Sequence, residues 1–292
     1  MTSRAPTKLE VAIALMYVQE NKPSVLMSTP AYGGTLSAGF AVSRDNIGRE
    51  FARFGIPCEF AVSTTESHID RARNRFAYAF MQSKHTHQFF IDADIELEQP
   101  FDAIRLLVAT KYASVTGCGY PMKGLNMETG RKLFRDHGVD PFKGALTYAG
   151  NLISHGENEV HTMRVDGDMW GFIECADLAG GCTVIPRSTY ELLLTKLSVP
   201  KELPVYAPHS NGHSAAGFIT TVAIDDFLPC HGFFASRASQ LDGVGRFLSE
   251  DYAFCERVRQ AGGSLAIMTG ATLTHTGSGY NLSGRYMDQI IG

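Results

Sequence analysis

The sequence predicts an α/β fold with a mainly parallel central sheet and helices on both faces. Three observations carry this. Strand and helix signals alternate over the first part of the chain, as βαβ units require. The 292 residues are 44% hydrophobic and 19% charged, with formal net charge −4. That rules out a disordered chain and lets roughly 75% of the unfolded surface be buried without a disulfide or metal staple. Finally, charge is below the usual ~25%, and glycine, at 29 residues, is above the usual ~7%. Tight turns and close backbone approaches follow, as in a site built from loops on a rigid scaffold.

The elements follow in order. VLMSTP (Val25 to Pro30) is a short apolar strand closed by proline. Leu36, Phe40, Ile47, Phe51 and Phe54 recur at helical spacing, and Gly55 is a good C′ stop. CEFAV (Cys58 to Val62) is β-rich. Ser67 opens an S-x-x-D capping box with Asp70, ahead of a stripe of Ile69, Phe76 and Phe80. FFI (Phe89 to Ile91) is a strand cut off by Asp92. Phe101, Ile104, Leu107 and Val108 mark a helix, and ASVTG (Ala113 to Gly117) a further strand.

After Tyr120 the pattern weakens. Residues 121–170 are polar, glycine-rich and barely periodic, which reads as a long functional loop or irregular hairpins. Order returns with GGCTVIP (Gly180 to Pro186) and a helix over Arg187 to Lys196. A second loop-rich stretch, Val199 to Phe247, precedes a helix after Ser249 that stops at Gly262-Gly263, and the strands LAIM and TLTH follow. The reading is one domain with two long site-forming insertions.

A pI near 6.2 argues against a domain-wide nucleic-acid footprint, though not against a local basic groove. The longest apolar run, Val11 to Val18, is far short of the ~20 residues a membrane span needs. Glu10 abuts it and no A-x-A site follows, which reads against a secretory signal. Six cysteines without any C-x-x-C read as reduced thiols in a cytoplasmic protein.

Chemistry concentrates in three places. The strand FFI runs directly into Asp92-Ala93-Asp94. On an extended chain, residues i and i+2 point the same way. Two carboxylates then emerge side by side at the C-terminal sheet edge, where open α/β sheets bind ligands. Such a pair calls for a divalent cation, Mg²⁺ or Mn²⁺, or a ribose, although both could instead cap a turn. Glu250 and Asp251 follow Ser249, a plausible N-cap. Carboxylates there complement the helix dipole, or one serves as a general base held at a helix start. His275 ends a strand and matters if it reaches the Asp94 cation. His209-x-x-x-His213 is interrupted by Asn211-Gly212, which speaks against a zinc pair. Asp166, Asp168, Asp225 and Asp226 read as loop caps. Lys123, Arg131, Lys132 and Arg135 form a basic stretch, read first as a solvated loop and second as a phosphate or polynucleotide track.

The ordered set resembles the GT-A glycosyltransferases of the inverting, DxD-containing type, and within them bacteriophage-encoded GT-A-like proteins. The residues that carry the likeness are STPAYGG (Ser28 to Gly34), ESHIDRARN (Glu66 to Asn74) and IDADI (Ile91 to Ile95). YPMK (Tyr120 to Lys123), Gly180-Gly181, SEDYAFCERVRQAGG (Ser249 to Gly263) and LTHTG (Leu273 to Gly277) complete the set. The likeness spans roughly residues 24–277. It implies a GT-A, Rossmann-like fold over residues 1–292, with 24–120 as the nucleotide-sugar half and 121–292 as the acceptor half. It implies a nucleotide-sugar donor, a Mn²⁺ or Mg²⁺ cofactor, and transfer with inversion to an acceptor hydroxyl. Asp94 and His275 would hold the metal, with Asp92 on the ribose or the metal's water shell. Asp251 would be the base, and Glu250 would help hold the acceptor. Thr29, Pro30, Tyr32, Arg71, Arg73, Asn74, Lys123, Gly180 and Gly181 would line the donor site. A hydroxymethylated base in phage DNA, a cell-surface glycan and a protein side chain are the acceptors in view.

One departure matters: the single tryptophan, Trp170, lies far upstream of the ED pair, where many relatives carry an acceptor-binding Trp, so acceptor recognition does not transfer. A nucleotidyltransferase on a similar sheet is disfavoured, since TPAYGGT has no basic residue for a triphosphate. A non-catalytic carbohydrate-binding protein leaves both carboxylate pairs unexplained.

Overall fold

The computed structural model describes residues 5–64, 66–153, 162–163, 171–199, 201–202, 218–220, 230–241, 243, 245–277 and 281–286. Trp170, Asp166, Asp168, His209, His213, Asp225 and Asp226 lie outside the described residues.

The chain runs through α1 (Lys8–Asn21), β1 (Val25–Pro30), a 3₁₀ turn (Tyr32–Gly34), α2 (Ala38–Arg53), β2 (Cys58–Ser63) and α3 (Ile69–Gln82). Next come β3 (His87–Ile91), β4 (Ile95–Leu97), α4 (Phe101–Ala109), β5 (Val115–Cys118), β6 (Pro121–Leu125), α5 (Met127–His137) and α6 (Pro141–Ala145). Short strands β7 (Leu146–Tyr148), β8 (Asn151–Leu152) and β9 (Thr162–Met163) lead to β10 (Phe172–Asp177), β11 (Cys182–Pro186) and α7 (Arg187–Lys196). After β12 (Lys201–Glu202), β13 (Phe218–Thr220), β14 (Cys230–His231), β15 (Arg237–Ala238) and β16 (Phe247–Leu248), the described chain ends with α8 (Glu250–Gln260), β17 (Leu265–Met268), β18 (Thr272–Thr276) and β19 (Asn281–Arg285).

A ten-stranded sheet organises these elements, in the order β13-β2-β1-β3-β11-β5-β17-β10-β8, with β9 also on β10. β1 is parallel to β2 and β3, and β5 is parallel to β17. β11 is wedged antiparallel between β3 and β5, and β10 and β13 also run against their neighbours. Most strands therefore share one direction, but the sheet is mixed rather than uniformly parallel. The strands of residues 121–292 are spliced among those of 24–120.

Strand alternation sorts the core. Val25, Met27, Phe89, Ile91 and Val184 pack with Ala14 and Tyr17 of α1, Phe40, Ile47 and Phe51 of α2, and the apolar residues of α4. Their neighbours Leu26, Phe90 and Ile185 face the opposite way, onto Phe76 and Phe80 of α3, Tyr190 of α7 and Phe254 of α8. Helices thus cover both faces. The apolar run beginning at Val11 is part of α1, started by a reciprocal Thr7–Glu10 capping box. Glu10 also takes a hydrogen bond from Arg105 of α4 at 3.0 Å, in a buried network with Asp102. Among the described residues, no helix is long and apolar enough to cross a membrane. Cys58, Cys118, Cys175, Cys182 and Cys255 are free thiols.

Several local expectations are corrected. α3 begins after His68, not at a Ser67–Asp70 capping box. The Glu66 carboxylate accepts the His68 N–H at 3.0 Å and the Arg71 guanidinium at 2.7 Å, which pins the approach to the helix without a side-chain cap bond. Leu36 precedes α2 and is exposed; Ser37 caps that helix by accepting the Phe40 N–H at 3.0 Å. The Gly55 stop has φ +71°. Residues 121–153 are not loop: they hold β6, α5, α6, β7 and β8. Asn126 caps α5 and Gly138 ends it at φ +69°. The helix is hard to read because Gly130 interrupts its apolar side, where it and Leu133 meet α6. A Cβ on Gly130 would meet the Pro141 carbonyl oxygen at 2.2 Å.

One buried histidine gives the fold a pH dependence. His87, on β3, is held among Tyr17, Thr86 and Thr110, and burial lowers its pKa from 6.5 to about 4. The unfolded chain takes up this proton first. Stability is then complete above about pH 6.5 and falls as pH drops toward about 4, by about 3 kcal/mol at full extent. Chemical denaturation across that range is expected to show this slope, and His87→Gln to flatten it.

Candidate active site

The site grows from the end of β3. Asp92-Ala93-Asp94 is not extended: the chain turns there, and Ile95 N–H closes the turn onto the Asp92 carbonyl at 3.0 Å. The two carboxylates consequently take different partners instead of emerging side by side, because the two-residue repeat ends with the strand. Neighbours fix the turn from three directions. Asp92 N–H donates to the Gly181 carbonyl (3.0 Å), Ser37 N–H to that of Ala93 (2.9 Å) and Thr276 N–H to that of Asp94 (2.9 Å).

Asp92 turns inward to Arg73 of α3. The buried Arg73 guanidinium donates to Asp92 Oδ1 at 3.1 Å, Glu250 Oε1 at 3.2 Å and the Gly180 carbonyl at 3.1 Å. It also lies 5.1 Å from the centre of the Phe90 ring. One cation thereby ties α3, the β3 turn, the entrance to β11 and the start of α8. Burial raises the Asp92 pKa, Arg73 works against that rise, and the charges of Asp94 and Asp251 add to it. Glu250 is raised likewise, by burial first, with Arg73 again opposing. For Arg73, burial alone would favour the neutral form, but Asp92, Glu250 and Asp251 push its pKa well up.

Gly180 and Gly181 have a packing reason to be glycine. A Cβ on Gly180 would sit 2.6 Å from the Arg73 guanidinium carbon. One on Gly181 would sit 2.6 Å from Tyr120 Oη and 2.9 Å from Asp92 Oδ2.

Asp94 turns the other way. Lys123 Nζ of β6 lies 2.5 Å from Asp94 Oδ2 and His275 Nε2 of β18 lies 3.6 Å from it. His275 donates through Nδ1 to the Pro121 carbonyl at 2.7 Å, which fixes the ring and leaves Nε2 turned to Asp94. Tyr120 supports that ring edge-on, with centroids 5.3 Å apart. Burial alone would raise the Asp94 pKa, but the hydrogen bonds and charges of His275 and Lys123 outweigh it and hold the carboxyl low. Among the described residues, no three His, Cys, Asp or Glu side chains form a metal-binding group. Asp94 and His275 are an oxygen and a nitrogen donor facing one another.

Asp251, in the first turn of α8, is half-buried. Its Oδ2 accepts the Gly180 N–H at 3.2 Å, and its Oδ1 accepts the Tyr252 N–H at 2.8 Å and the Ser249 hydroxyl. Ser249 occupies the N-cap position but makes no side-chain cap bond, since its hydroxyl goes to Asp251.

The structure thus gathers Arg73, Asp92, Gly180, Gly181, Glu250 and Asp251 in one cluster and Asp94, Lys123 and His275 in a second, with Tyr120 touching both. The remaining expected donor residues stand around them. Thr29 is buried at the end of β1, Pro30 closes that strand, and Tyr32, 70% exposed, follows in the 3₁₀ turn. Arg71 is engaged by Glu66, and buried Asn74 accepts the Phe234 N–H at 2.8 Å, so its amide oxygen serves the protein's own backbone. Sequence reasoning missed Tyr120 and the linking role of Arg73. The YPMK segment contained the first, but spacing carries no sign of the second.

No family model and no curated protein matches the chain. Among solved structures, A197 from STIV is similar to it, with 11% identity over 91% of each chain and a TM-score of 0.44.

Proposed function

We propose that this chain is a metal-dependent glycosyltransferase that moves a sugar from a nucleotide-diphosphate donor to an acceptor hydroxyl, with inversion. The observation that supports the reading best is the convergence of two distant carboxylate pairs. Asp92, Glu250 and Asp251 meet through Arg73 and Gly180 at the edge where β1 and β3 end, and Asp94 turns from the same loop to Lys123 and His275. Open α/β sheets bind ligands at that edge.

The residues divide the work by their surroundings. Arg73 and Glu250 are buried and bind each other, so they hold the frame. Asp251 is accessible, and three donors fix its carboxylate. In this reading it takes the proton from the acceptor hydroxyl. Asp94 and His275 Nε2 would hold Mn²⁺ or Mg²⁺, with diphosphate oxygens and water completing the shell, as Mg²⁺ sites commonly do. When bound, the ion supplies charge stabilisation to the departing nucleoside diphosphate. Lys123 would release Asp94 and turn its ammonium to the phosphates. Tyr32 is exposed enough to cover a nucleotide base.

The test is a mass-spectrometric screen of nucleotide sugars with Mn²⁺, reading released nucleoside diphosphate. Turnover of at least one sugar is expected. Asp94→Asn should reduce it about 10²–10³-fold and abolish metal-linked donor binding. Full activity of that variant, or in EDTA, would overturn the assignment.

A further inference from the structure

The basic stretch singled out in the sequence forms an exposed helix beside the site. Arg131, Lys132 and Arg135 of α5 and Lys143 of α6 are all exposed, as are Phe134 (55%) and Phe142 (66%). Among the described residues, none of these four cations makes an ion pair or a side-chain hydrogen bond. Residues 121–145 carry five Lys/Arg against Glu128, Asp136 and Asp140, net +2, in a chain of net −4. Asp140 is occupied in capping α6.

Helical spacing puts Arg131, Phe134 and Arg135 on one side of α5, since residues three and four apart are neighbours. The α5–α6 contact is made by Gly130 and Leu133 against Pro141, Gly144 and Ala145, and it leaves Phe134 and Phe142 exposed beside it. The same segment reaches the site: Lys123 of β6 contacts Asp94, and Pro121 holds His275.

We propose that the α5–α6 face binds a single-stranded nucleic acid, with the cations on its phosphates and Phe134 and Phe142 stacking on its bases. One feature favours this partner over an anionic lipid surface. A membrane-surface helix segregates a continuous apolar face from its charges. On α5 the apolar side is taken up by α6 through Gly130 and Leu133, and the exposed Phe134 stands one turn from Arg131 and next to Arg135, the pairing of ring and cation that single-strand platforms use. The strand's role as acceptor rests on the transfer reaction proposed above, but its binding does not.

Fluorescence anisotropy with a labelled mixed-sequence single-stranded DNA tests the proposal without any donor or metal. Wild-type protein is expected to bind with a salt-dependent affinity. Arg131→Ala and Arg135→Ala should each reduce the slope of log K against log salt by about 0.7. Phe134→Ala and Phe142→Ala should each weaken binding about tenfold with the slope unchanged. Circular dichroism should show all four variants folded, since the replaced side chains are exposed. Absent binding overturns the proposal, as does binding untouched by the phenylalanine changes or equal binding to a duplex. So does Phe-dependent binding to phosphatidylserine vesicles without binding to DNA. Loss of sugar transfer with DNA binding intact would count against the enzymatic reading alone.

Discussion

Asp251→Asn is expected to lower metal-dependent nucleoside diphosphate release about 10²–10⁴-fold, the usual contribution of a positioned general base. The KM for the donor should move little, because Asp251 sits on the α8 side of Gly180, away from Asp94 and Lys123. Asparagine keeps the shape, and its one carbonyl oxygen can still accept from Tyr252 and Ser249 while the Gly180 bond is lost, so folding should survive at a small cost. A pre-steady-state measurement of turnover, paired with the melting temperature, separates the two effects. A rate within a few-fold of wild type at unchanged stability would remove Asp251 from the chemistry.

Arg73→Met is expected to have the largest effect on stability. Arg73 is the shared cation of Asp92 and Glu250, and the Arg73 and Glu250 side chains are almost wholly buried. Removing one partner from a buried ion network leaves uncompensated charge and costs about 3–5 kcal/mol. The sign of the pH dependence follows. Without Arg73, both carboxyl pKa values rise further above their unfolded values. The folded state then binds more protons than the unfolded one, and stability improves as pH falls. The deficit of the variant, read by urea denaturation, should therefore shrink between about pH 8 and about pH 5. Arg73→Lys should recover part of the stability, since one ammonium cannot reproduce the three-way fork. A pH-independent deficit would show that lost packing over Phe90, not charge, dominates.

Much of this architecture was legible because burial on both faces forces strong patterns. Val25–Pro30 and Arg187–Lys196 form the strand and helix their patterns mark, and β3 ends where Asp92 interrupts the apolar run. The pairing of carboxylates was half legible. Their identity and chain order were readable, but the turn that separates Asp92 from Asp94 depends on Gly181, Ser37 and Thr276, three remote backbone partners. The ties of Arg73 to Asp92 and Glu250 are not legible in the sequence, because its sequence neighbours include neither. Only the crossing of α3 and α8 over the sheet brings them together. α5 is hard to read for a related reason: Gly130 interrupts its apolar side, leaving only Met127, Leu133 and Phe134 to mark it.

The wedging of β11 between β3 and β5 also has a consequence during synthesis. β1, β2 and β3 can pair as soon as they leave the ribosome, but the other edge of β3 must wait for Cys182, about 90 residues later. At the usual ~5–20 residues per second, that edge stays bare for roughly 5 to 20 s. It is a wholly buried edge in the finished protein, with Phe89, Phe90 and Ile91 on it, so the nascent chain passes through a period of exposure to strand-to-strand aggregation. Expression yield should therefore depend on translation speed and chaperone supply more than the stability of the finished fold alone would suggest.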